Sequence, residues 1–114
     1  MASKLEQLVQ TYVNEFENNL KMKVDKDLLT KVAKGLGPSI YNNDASKVSG
    51  SDSKELDTVK NNFLIKKLGL KNDSKLDDAI NEVMVKMGTS NRNKYRAMVY
   101  YLLVVEFNKQ SIYN

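Results

Sequence analysis

The sequence predicts an all-α fold: a compact single-domain array of about five main helices plus short helical turns, with the C-terminal helix central. Three observations lead there. Apolar residues recur at three- and four-residue spacing through most of the chain. The single Pro and the five Gly fall between those stretches, where helices stop. Alternating β-branched runs around hairpin turns, the mark of strands, are missing. With 114 residues, one domain over 1–114 can bury roughly two-thirds of its unfolded surface and needs no covalent staple.

Each helix follows from local chemistry. Ser3 and Glu6 form a capping box, after which Leu5, Leu8, Val9, Tyr12, Val13, Phe16 and Leu20 make one apolar stripe. This predicts a helix to about Lys21. Asp25 caps the next, with Val24 and Leu29 placed as a hydrophobic staple and Leu28, Leu29, Val32, Ala33 and Leu36 as its buried face. Gly35 or Gly37 supplies the left-handed residue that ends it, and Pro38 blocks continuation. Between Pro38 and Gly50 the pattern is less regular. Two brief helical turns are expected there, the second capped by Asp44, with Ile40, Tyr41 and Val48 pointing inward. The stretch SGSDSKELD offers caps for a helix from about Ser53 to Leu68, stopped by Gly69. Ser74 is read as the cap of the following helix, with Asp77 in its first turn and Gly88 at its end. Ser90 is read as the cap of the last, running to about Asn108. That helix is apolar nearly all round from Met98 to Val105, so it should be the element the others wrap.

Composition excludes several classes. The chain has no Cys, His or Trp, which removes disulfides, thiolate sites and imidazole metal sites. The longest apolar run is Ala97–Val105, whereas a spanning helix needs about 20 residues. MASKLEQLVQ does not have the charged and apolar regions of a signal peptide, and a cytoplasmic location without membrane contact is expected. The net charge of +4 is uneven: residues 1–57 carry 8 Lys and 9 acids, residues 58–114 carry 10 Lys and Arg and 5 acids. A modestly basic half attracts anions at long range.

Three stretches, VAKGLGPSIY (32–41), LDTVKNNFLIKKLGL (56–70) and SNRNKYRAMVYYLL (90–103), in this order and spacing resemble a family of short bacterial proteins known as domain of unknown function 2853. The resemblance spans nearly the whole chain. It implies a compact all-helical array and carries no activity or functional residue with it.

Candidate chemistry is sparse. Without His or Cys the common nucleophile–base pairs are gone. Asp25/Asp27 and Asp77/Asp78 are close acid pairs, but each sits in or beside a helix's first turn, where a carboxylate favours the dipole. NNDASKVSGSDSKE and NDSKLDDAINEV lack the ligand spacing of a calcium loop. GLGP follows a helix, whereas a phosphate loop leads into one. Glu106 is an acid–base candidate if it lies in a cleft, and otherwise marks where the last helix emerges into solvent. No catalytic residue, no cofactor and no metal are expected.

The segment that asks for an explanation is SNRNKYRAMVYYLL. A helix capped by Ser90 has Arg92, Lys94 and Arg96 in its first two turns, at the end that already carries roughly +0.5 charge. At about 100° per residue, Arg92 and Arg96 share one flank and Lys94 takes the other. Three readings follow. The arginines pair with acids on neighbouring helices, Asp52, Glu55, Asp57 or Asp77, which is the favoured one. Or Asn91, Arg92, Asn93, Lys94 and Arg96 bind a small anion or a protein partner. Or they extend a basic stripe through Lys60, Lys66, Lys67, Lys71 and Lys75 that meets nucleic acid through its backbone. The sequence therefore reads as a non-catalytic protein, monomer or weak homodimer, acting through protein contact or anion binding, with nucleic-acid binding as the alternative.

Overall fold

The computed structural model describes residues 3–41, 47–48, 52–88 and 94–113, apart from the side chains of residues 38 and 39. Helix α1, Lys4–Asn18, starts where the capping box predicts: the Ser3 hydroxyl accepts from the Glu6 N–H at 3.1 Å. Its Val9, Tyr12 and Phe16 are buried. It stops earlier than the periodicity suggests, because Lys21 takes a left-handed φ of 54° and the Met22 N–H turns back onto the Phe16 carbonyl. Helix α2, Lys26–Gly35, is capped by Asp25, whose carboxylate accepts from the Leu28 N–H. Gly37, at φ 66°, is the left-handed residue that follows it, and a 3-10 turn occupies Gly37–Tyr41. Ile40 and Val48 point inward as expected, but Tyr41 is half exposed. Asp44 lies outside the described residues.

Helix α3, Ser53–Thr58, is capped by Asp52 and continues without a break as a π-helix over Val59–Lys67. An ordinary α-helix was the expectation. The wider turn brings residues five apart onto one side, so Val59 and Leu64, and Phe63 and Leu68, all reach the interior. Gly69, at φ 72°, closes it. Helix α4, Ser74–Met87, is capped by Asp73 and not by Ser74: the Asp73 carboxylate accepts from the Lys75 N–H at 3.0 Å, and Ser74 is the first helical residue. Asp outcompetes Ser because it stands one place earlier, in the extended conformation a cap requires.

Helix α5, Arg96–Glu106, starts five residues later than a Ser90 cap would place it. Lys94 and Tyr95 precede it in extended form. Val48 N–H donates to the Lys94 carbonyl at 2.7 Å, and Lys47 and Tyr95 form an antiparallel bridge. That pairing satisfies backbone groups that a longer helix would have used within itself. Beyond the Phe107 cap, Asn108 at φ 54° closes the helix, with the Lys109 N–H on the Val104 carbonyl and the Asn108 N–H on that of Val105. This is the Schellman pattern, with Asn in the place Gly usually takes. A last 3-10 turn covers Gln110–Tyr113.

The interior is built on α5. All of Ala97–Val104 is buried. Tyr101 stacks obliquely on Phe16 of α1 at 5.4 Å, and its hydroxyl accepts from the Asp25 N–H at the start of α2. Tyr100 stacks on Phe63 at 3.9 Å. Leu76, Ala79, Ile80, Val83, Met84 and Met87 bring α4 into the same core. Helices α1 to α4 thus close around α5, as its all-round apolar surface demands. No described helix is long and apolar enough to cross a membrane.

Candidate functional site

Of the cations that the sequence singles out, Lys94 and Arg96 are among the described residues. Arg96, the first residue of α5, is fastened inside the fold. Its guanidinium forms an ion pair with Glu55 of α3 and donates to the Tyr100 hydroxyl at 3.2 Å and the Lys47 carbonyl at 3.4 Å. The side chains of Arg96 and Glu55 are 13% and 26% exposed. The carboxylate offsets a cation placed at the wrong end of a helix, so the intramolecular reading holds for Arg96. Lys94 is buried, with 5% of its surface exposed. Asn91, Arg92 and Asn93 lie outside the described residues. Along the basic stripe, Lys60 pairs with Asp77 at 3.1 Å and Lys67 lies 5.4 Å from the centre of the Tyr113 ring. Glu106 is exposed, where α5 emerges into solvent. Among the described residues no group of acids is arranged to hold a metal ion.

One concave feature lies beside this segment. A cleft of about 460 Å³ opens between α1, the first 3-10 turn and the Lys47–Tyr95 bridge. Helix α1 supplies Lys4, Gln7, Leu8, Thr11 and Tyr12, which a 3–4 spacing sets along one face. Ile40 and Tyr41 come from the 3-10 turn, and Lys47 and Tyr95 from the bridge. The Tyr12 and Tyr95 rings meet at 5.2 Å with 52° between their planes. The Lys47 ammonium lies 5.7 Å from the centre of the Tyr95 ring. The lining thus holds two ammonium groups and three phenols, and none of these nine residues is an acid.

Tyr12 is the unusual member. It is fully buried, yet among the described residues its hydroxyl has no hydrogen-bond partner. Burial, reinforced by Tyr95 and then Tyr41, pushes this phenol up to about 12, so it is neutral at physiological pH and keeps its proton to donate. Leaving such a group unpaired costs about 1–3 kcal/mol.

Sequence reading missed this site. It placed Tyr12 in the apolar stripe of α1, where its ring does pack, and gave its hydroxyl no separate role. The available signal was a phenol inside a core stripe, which ordinarily needs a partner. Lys47 gave no such signal, because only the bridge to Tyr95 brings it to α1.

None of the curated proteins compared with the chain matches it. A family model does, over residues 11–111, a span that takes in α1 from Thr11, the first 3-10 turn, every later helix and the start of the second 3-10 turn. The chain belongs to the family described as Protein of unknown function (DUF2853).

Proposed function

We propose that this protein is a non-catalytic binding module for a small anionic ligand, held in the cleft between α1 and the Lys47–Tyr95 bridge. The observation that carries this reading is the cleft's charge: among the described residues Lys4 and Lys47 line it and no carboxylate does. Two ammonium groups against a low-dielectric aromatic wall favour an anion more than they would on open surface. Arg96 contributes by holding Lys47 through its carbonyl.

Titration with inorganic phosphate, followed by backbone amide shifts, tests the reading. Shifts are expected at Lys4, Gln7, Thr11, Tyr41, Lys47 and Tyr95. Shifts that are absent, or spread evenly over the chain, overturn it. A second reading, nucleic acid on the exposed lysines 66, 67, 71 and 75 around the α3–α4 turn, draws on their exposure and shared sign. It predicts salt-sensitive retention on heparin that is lost on changing these lysines to Glu.

A further inference from the structure

The ligand's chemical class can be narrowed, on the footing of the anion-binding reading above. A bare inorganic anion meets the cleft's charge but leaves its aromatic wall without contacts. Tyr41 and Tyr95 present ring surface, and the buried Tyr12 ring backs Tyr95 in a tilted pair, which makes an apolar corner. A volume of about 460 Å³ lies in the lower part of the range for small-molecule sites. It suits one ring with its substituents. An organic cation is disfavoured, because the Lys47 ammonium already lies against the Tyr95 ring and like charges repel. Beside the corner stands a donor with nothing to donate to, the Tyr12 hydroxyl.

We infer that the cleft takes a planar ring bearing an oxyanion, a carboxylate or a phosphate, with Lys4 and Lys47 meeting the charge and the Tyr12 hydroxyl donating to an acceptor on the ligand. The ligand reaches that hydroxyl by turning out side chains at the rim, of which Tyr41 is half exposed. Tyr12 is then the residue that sets specificity. Its unpaired proton is an affinity held in reserve, since a site built around a buried polar group rejects ligands that leave it unpaired.

Calorimetric titration of the full chain tests this with four probes: benzoate, phenyl phosphate, inorganic phosphate and choline. Benzoate or phenyl phosphate should bind at least about tenfold tighter than inorganic phosphate, the better of the two naming the oxyanion, and choline should not bind. Tyr12→Phe keeps the ring and removes a hydroxyl that bonds to nothing in the unliganded fold, so its thermal midpoint should be equal or higher. Its affinity for the aryl anion should fall by about tenfold or more, the worth of one hydrogen bond to a charged group. Lys47→Met should weaken every anion. If inorganic phosphate binds as tightly as the aryl anions, or Tyr12→Phe binds them as the native chain does, the inference is overturned while the anion reading stands. Tight choline binding, or no binding by any anion, overturns both.

Discussion

Arg96 is where the structure makes its sharpest energetic claim. Replacing it with Met keeps most of the stem and removes bonds to Glu55, to the Tyr100 hydroxyl and to the Lys47 carbonyl. The Glu55 side chain, 26% exposed, would remain mostly buried without its counter-ion. Stranding one partner of a fully buried pair costs about 3–5 kcal/mol, and an exposed pair is worth roughly 0–1 kcal/mol. The partial exposure of Glu55 lowers the first figure, while the Tyr100 and Lys47 bonds, long and neutral at the acceptor, add little. About 2–4 kcal/mol is expected for Arg96→Met, or roughly 8–16 °C in Tm for a chain of this size. Glu55→Gln should cost less, about 1–2 kcal/mol, because its amide oxygen still accepts from the guanidinium. Urea unfolding of both variants and the double variant, read by circular dichroism, gives the coupling, expected at about 1–2 kcal/mol. A cost below about 0.5 kcal/mol with no coupling would place Arg96 among ordinary surface cations and remove the reason given for excluding it from the binding site.

Three further outcomes follow from the same contacts. Burial raises both Tyr12 and Tyr113 to about 12, from 10.0. A raised phenol contributes stability that is complete below the unfolded pKa and lost above it, so unfolding free energy should decline from pH 10 to 12, and less steeply in Tyr12→Phe. Leu103→Ala, at a fully buried position of α5, should cost about 2–5 kcal/mol, whereas Val85→Ala, 66% exposed on α4, should stay within about 0.5 kcal/mol; chemical denaturation distinguishes them. Asp73→Ala should lower Tm more than Ser74→Ala does, because the Asp73 carboxylate, held below the usual carboxylate range chiefly by the Lys75 N–H, is the cap of α4.

The fold was legible because its determinants are local. The Ser3, Asp25 and Asp52 caps, the Gly37, Gly69 and Gly88 stops and the apolar surface of α5 each act within a few residues of where they stand. Errors arose where two local signals competed or where the deciding partner was distant. Asp73 and Ser74 are both competent caps, and only backbone geometry separates them. Ser90 and Glu55 each offer a way to manage the cations before α5. The structure uses Glu55, 41 residues away, with a bridge from Lys47 that no periodicity could announce. The π-helical turns of Val59–Lys67 were invisible for another reason: residues 59, 63, 64 and 68 suit an α-helix almost as well. The candidate site was less legible still. Its lysines come from positions 4 and 47, and its aromatic corner joins α1 to a residue 83 places on.

Proton–proton contacts between bound benzoate and the isotope-labelled chain put the binding account to its most direct trial. The account places the ring protons against the side chains of Tyr12, Tyr41 and Tyr95, with contacts that weaken in Tyr12→Phe. Ring protons seen against the lysine-rich α3–α4 turn, or against no defined set of side chains, would contradict it.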